Sequence, residues 1–182
     1  MISAFFYFKL QVIIVLLEFA SGSYRLIITT FLLISTLSAS TEAEKIDMIK
    51  QLIKQNGIDF VIEKTIPYEQ KEYPKIKNKI ETTTSVVYLK STKTKLYKIS
   101  VVNNWESIIV GNNNYTHKEV MLYYPQQMQN RSVNSLCSNK LNQLFFENGL
   151  KIKIVYHDED GNYLFKVNVK NEDCKKRDLH TK

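Results

Sequence analysis

His157 and Asp158 stand side by side in "YHDEDGN", residues 156–162, and are the first residues of this chain whose types suit chemistry. An imidazole next to a carboxylate is the smallest unit of general acid–base catalysis. It needs a third group, and the other two histidines, His117 and His180, are far away in sequence. The chain has no His-x-His, no His-Glu-x-x-His and no serine elbow. The alternation around His157 puts it on the solvent face of a strand, and His180 falls in a polar end. The expected catalytic set is therefore empty.

The acidic run "DEDGN", 158–162, raises calcium next. An EF-hand loop needs glycine at its sixth position and a bidentate glutamate at its twelfth. Counting from Asp158, glycine comes fourth and Val169 stands twelfth. The run is expected to be a hairpin turn in which Asp160-Gly161 supplies the positive φ. With five glycines in the whole chain there is no phosphate-cradling loop to assemble. No metal and no cofactor is expected.

Cys137 and Cys174 are the only cysteines. Neither belongs to a Cys-x-x-Cys pair and neither has a histidine within a few residues, so a metal site or reactive thiol is disfavoured. An even count downstream of an export signal reads as a disulfide. Tyr68, Tyr73, Tyr123 and Tyr124 lie outside the clearest strands. Exposed together they would anchor a protein partner; packed inward they would hold loops against a sheet.

These residues sit on elements the pattern predicts. "STEAEKIDMIKQLIKQNG" reads as a helix capped by Ser40 or Thr41 and stopped at Gly57. "IDFVIEKTI", 58–66, reads as a strand, and residues 67–79 as a loop with two prolines. A hairpin follows in "TTTSVVYLKSTKTKLYKISVVN". Residues 104–135 stay open between strand and helix, with "GNNN" as a turn and "NNNYTHKE" as a polar loop. "SNKLNQLFFENG" reads as a short helix capped by Ser138 or Asn139. Leu150, Ile152, Ile154 and Tyr156, then Tyr163, Phe165, Val167 and Val169, alternate with mostly polar residues as the two arms of a second hairpin. "KQNGIDFVI" (54–62) and "FENGLKIKI" (146–154) echo one another as helix end, Asn-Gly and strand, which suggests a duplicated unit.

Residues 1–40 differ from the rest. "LIITTFLLISTLSA", 26–39, has no charge, follows Arg25 and ends in small residues. It is too short to span a bilayer and fits the apolar core of a signal peptide. The earlier run, 1–20, leaves two alternatives open: an over-extended start, or a membrane hairpin formed by both runs. The expected division is a signal peptide or hydrophobic segment at 1–40, an exported domain at 41–174 and a polar tail at 175–182. Of 25 Lys+Arg, two precede residue 41, and of 18 Asp+Glu, one does, so the remainder carries 23 − 17 = +6. Those lysines are dispersed among acids with no Arg-rich groove, so nucleic acid is excluded as the expected partner. The surplus favours anionic surfaces weakly.

From Pro74 to Cys174 the chain resembles a group of small exported bacterial proteins of uncharacterised function. The resemblance is carried by "PKIKNKIETTTSV", "LYKISV", "LCSN" and the closing "ENGLKIKIVYHDEDGNYLFKVNVKNEDC" with its Tyr-x-Asp-x-Asp-Gly turn between the cysteines. In it Glu81 and Thr82 or Thr83 stand where an acidic residue and threonine recur. The resemblance implies export, a Cys137–Cys174 pair and an α+β layout, and it carries over no catalytic residue.

The expected fold is a single α+β domain: an antiparallel sheet of two hairpins packed by one or two helices, with one disulfide. The expected function is a non-enzymatic periplasmic or secreted protein that binds a protein partner as an accessory of an envelope system. Two alternatives stand beside it: an enzyme with an unrecognised hydrolytic site, and a structural component anchored in the inner membrane through residues 1–40.

Overall fold

The computed structural model describes residues 41–110 and 116–180, so the expected signal-peptide segment and the expected "GNNN" turn lie outside the described residues. The chain divides into two units, up to Asp47 and from Met48 onward. Only the first turns of one helix represent the earlier unit, where Thr41 and Glu44 form a reciprocal cap: Thr41 N–H donates to Glu44 Oε2 at 2.8 Å and Glu44 N–H to Thr41 Oγ1 at 3.3 Å. The second unit holds the sheet and every other element.

In chain order the elements are α1 (Glu42–Gln70), β1 (Lys75–Ile76), β2 (Glu81–Leu89), a 3-10 turn (Lys90–Thr92) and β3 (Thr94–Val101). Then come α2 (Trp105–Val110), α3 (His117–Ser138), α4 (Lys140–Glu147), β4 (Lys151–Asp158), β5 (Tyr163–Val169) and α5 (Asn171–His180). The five strands form one sheet in the order β1-β2-β3-β4-β5. The α+β class, both hairpins and the disulfide are as expected. The hairpins are joined through a parallel pair, β3 with β4, so the sheet as a whole is mixed. A parallel neighbour needs a long crossover, and residues 102–150 supply it with α2, α3 and α4.

Four local expectations are corrected. Residues 58–66 are helical: Gly57 takes φ 82 and ψ 162, which breaks α1 without ending it, and the helix resumes to Gln70. Ile58, Val61, Ile62 and Ile66 are all buried, spaced as one helical face, so burial prevails over the strand preference of β-branched residues. The loop expected over 67–79 begins only after Gln70 and contains β1. The suggested duplication fails, because only the second Asn-Gly leads into a strand. Finally, the polar tail expected at 175–182 is helical as far as His180, as part of α5.

Among the described residues, the open question over 104–135 resolves as helix, in α2 and α3. Thr116 and Glu119 form a capping box at the start of α3, which runs through Pro125 to Ser138. At α4 the side chain of Asn139 accepts from Asn142 N–H at 3.0 Å, so Asn139 is the cap.

Register puts Tyr97, Ile99 and Val101 of β3 on the same face as Ile152, Ile154 and Tyr156 of β4 and as Phe165, Val167 and Val169 of β5. That face forms the core with Trp105, Val120, Met128, Phe146 and the two cysteines. Each apolar side chain fully buried there contributes about 1.5–3 kcal/mol. Cys137, at the end of α3, is bonded to Cys174, in α5, across a separation of 37 residues. A closed loop of that length stabilises the fold by about 4 kcal/mol in the chain-entropy account. Helix α3 also lies along β5: Gln129 Nε2 donates to the Asn168 carbonyl at 2.7 Å and its Oε1 accepts from Asn168 N–H at 3.1 Å. One side-chain amide thus pairs the sheet edge as a further strand would, which blunts it against aggregation.

Candidate functional site

The Asp158 carboxylate is used by its own turn. Asn162 donates to it twice, from the backbone N–H at 2.7 Å and from Nδ2 at 2.9 Å, and Gly161 takes φ 86. Those bonds, the Asn162 side chain first, hold the carboxyl below its ordinary range. Asn103 fastens the turn to the end of β3, with Nδ2 donating to Asp160 at 3.2 Å and Oδ1 accepting from Glu159 N–H at 3.2 Å. This is a hairpin turn with its oxygens committed. His157 is half-buried on β4, and its Nδ1 lies 3.1 Å from the Asp158 carbonyl oxygen, not from a carboxylate. The side chains of His117 and His180 lie outside the described residues. Among the described residues, no three His, Cys, Asp or Glu side chains converge as metal ligands.

Two polar clusters are not legible in the sequence. The first is built on Glu81, 5% exposed at the start of β2. Tyr124 of α3 donates its hydroxyl to Glu81 Oε1 at 3.1 Å, and Asn78 Nδ2 reaches Oε2 at 3.5 Å. Asn78 Oδ1 in turn accepts from the N–H groups of Ile80 and Glu81. Tyr156, 0% exposed, stacks on Phe165 with ring centroids 4.4 Å apart, and its hydroxyl has no protein partner among the described residues. Burial first, then the Glu81 charge, pushes the Tyr124 and Tyr156 phenols far up.

The second cluster centres on Glu69, in the last turn of α1. Its Oε1 accepts from Tyr97 at 2.8 Å and Tyr73 at 3.2 Å, and Lys95 Nζ lies 2.5 Å from Oε2. Tyr88 donates to Asp59 on the same helix, Lys90 pairs with Glu63 at 2.9 Å, and Gln70 Nε2 donates to the Val86 carbonyl. Together these lock α1 onto β2 and β3. Burial and Glu69 raise the Tyr97 phenol strongly. Glu69 and Asp59 both accept from donors on the sheet, so the arrangement positions elements. The signal for it in the sequence is slight: Glu81 is singled out by the resemblance, but nothing in the spacing pairs it with residues 43 and 75 positions on.

The four tyrosines divide. Tyr73 and Tyr124 are hydrogen-bonded to carboxylates, while Tyr68 and Tyr123 stand out into solvent. Tyr123, 50% exposed, follows Leu122, 68% exposed, and Met121 on the first half of α3. These three side chains are successive, so they lie about 100° apart around the helix and spread across its solvent side.

No family model matches the chain, and no curated protein sequence matches it significantly. Solved structures with a similar fold include a Pseudomonas aeruginosa protein taken to be secreted, 12% identical, with a TM-score of 0.50 over 64% of this chain and 92% of that one. They also include two Vibrio pilotins of type II secretion systems. EpsS of Vibrio vulnificus is 11% identical, with a TM-score of 0.47 over 64% and 91% of the two chains. AspS of Vibrio cholerae is 17% identical, with a TM-score of 0.46 over 68% and 98%. At 12% identity the likeness to the Pseudomonas protein establishes a shared fold and nothing further.

Proposed function

We propose that this is an exported, non-enzymatic protein that binds another protein as an accessory of the bacterial envelope, and that it belongs with the exported group sharing the Cys…Tyr-x-Asp-x-Asp-Gly…Cys unit. The observation that carries the binding role is the solvent-facing Met121-Leu122-Tyr123 stretch on a helix otherwise anchored by a capping box, a disulfide and the Gln129–Asn168 bonds. Large apolar and aromatic side chains held on a rigid element are what a protein interface uses as anchors. The buried Cys137–Cys174 bond supports an oxidising compartment, since such bonds persist outside the reducing cytosol. The committed oxygens of Asp158, Glu69 and Glu81 support a role without catalysis. The reading stands on these features of the chain, and not on the two Vibrio pilotins, whose TM-scores lie below 0.5.

The test is crosslinking in intact envelopes, comparing the wild type with Leu122→Glu and Tyr123→Ala. A partner crosslinked to the wild type and lost from both variants, at unchanged melting temperature, supports the reading. A crosslinking pattern that the two substitutions leave unaltered counts against it.

A further inference from the structure

The face of the sheet opposite the helices has a composition of its own. Its cross-strand rows are Leu89, Thr94 and Lys151; Val87, Leu96, Lys153 and Asn168; and Ser85, Lys98, Val155 and Lys166. Lys98, Lys151 and Lys166 are exposed and Lys153 is half-buried. No aspartate or glutamate lies in these rows, and the acidic residues of the second hairpin come beyond them, at its turn. Among the described residues none of the four lysines forms an ion pair, while Lys170 at the margin lies 3.7 Å from Glu172. Val87 and Leu89, on the flanking strand β2, are exposed beside the charges. Strands lie about 4.8 Å apart and same-face residues on one strand about 6.8 Å apart, so the four ammonium groups share one patch. Part of the chain's positive surplus is thus concentrated on a surface that no element of the described residues covers. The carboxylates of the helical face, at Glu69 and Glu81, are turned away from it.

Between Thr94, Lys151, Lys153, Asn168 and Lys170 the surface dips into a cavity of about 110 Å³, lined also by Ile152 and Val169 and walled mainly by apolar atoms. We propose that the open face of the sheet docks onto an anionic phospholipid bilayer, with the lysines at the cavity's rim and those beyond it over neighbouring headgroup phosphates. The spread of charge selects a surface rather than a free ion: Lys98 and Lys166 lie in the row beyond Lys153 and Asn168 and line no part of the cavity. The exposed apolar side chains beside the lysines suit the interfacial region below the headgroups. This surface is distinct from the α3 patch, so the proposal goes beyond the protein-binding reading and does not depend on it.

The experiment is amine-reactive footprinting of the full chain, read by mass spectrometry, with phosphatidylglycerol vesicles, phosphatidylcholine vesicles, inorganic phosphate or polyglutamate. Any partitioning of the apolar residues 26–39 is common to both vesicle types and cancels in their comparison. Phosphatidylglycerol alone is expected to protect Lys98, Lys151, Lys153 and Lys166, with protection fading as salt is raised. Replacing those four lysines by glutamine is expected to weaken the salt-sensitive part of vesicle binding about fivefold per charge. The same number of changes on the helices, Lys54→Gln, Lys64→Gln, Lys140→Gln and Lys175→Gln, is expected to leave most of it. Equal protection by both vesicle types would overturn the proposal, as would an equal loss in the two variants. So would protection by phosphate or polyglutamate where phosphatidylglycerol gives none. Melting of each variant with its disulfide intact separates lost binding from lost fold.

Discussion

Tyr124 and Tyr156 make the same chemical group do opposite things. Both phenols are near Glu81, but only Tyr124 donates to it. A hydrogen bond to a charged group contributes about 1.5–3 kcal/mol, whereas a buried hydroxyl without a protein partner carries a desolvation cost of about 1–3 kcal/mol. Tyr124→Phe is therefore expected to destabilise the protein, and Tyr156→Phe to stabilise it by about 1 kcal/mol. Urea unfolding of the two variants reads both signs, and a loss of stability in Tyr156→Phe would show that its hydroxyl is satisfied. The sequence alone does not distinguish the two residues. Its period-two pattern correctly turns Tyr156 inward, but a pattern of faces does not say which inward hydroxyl meets a carboxylate three elements away. The cysteine pair is legible because it depends on counting and on compartment, not on side-chain geometry.

At the scale of elements, the least legible stretch is 57–66. Gly57 reads as a stop, and φ 82 agrees with a break; the difference lies in the residues after it. Ile58, Val61 and Ile62, then Ile66, follow helical spacing, but so many β-branched residues in one short run favour a strand, and the two signals compete. The parallel β3–β4 pair is equally hidden, since a crossover of helices leaves no mark on either strand's own alternation. Gly57 yields a test that separates a broken helix from a continuous one. Its φ and ψ fall in a region almost confined to glycine, where another residue costs about 1–3 kcal/mol. No atom crowds the position a Cβ would take, so the whole cost is in the backbone. Gly57→Ala is thus expected to lower the urea midpoint, although in an unbroken helix the same change would stabilise by about 1 kcal/mol.

Over the whole molecule, the helical layer is fixed to the sheet by phenols that donate to carboxylates, and this sets the alkaline limit of the fold. Tyr73 and Tyr97 both bond to Glu69, Tyr88 to Asp59 and Tyr124 to Glu81. In each, burial and then the neighbouring carboxylate raise the phenol well above its ordinary value. A group that holds its proton more tightly in the folded state contributes in full while both states keep that proton, and less once the unfolded chain can release it. Below about pH 10 the phenols are protonated in both states and their contribution is complete. Above it the unfolded chain ionises while the folded one resists, so stability falls steadily as pH rises toward the folded values. The tyrosinate absorbance of these residues is expected to appear together with loss of the helical circular dichroism, in one transition. Tyr97→Phe removes the most strongly raised phenol and should make stability decline less steeply above pH 10, though it lowers stability at neutral pH. Were these tyrosines to ionise near pH 10 while the helices stayed intact, the phenol–carboxylate bonds would not be what holds α1 and α3 against the sheet.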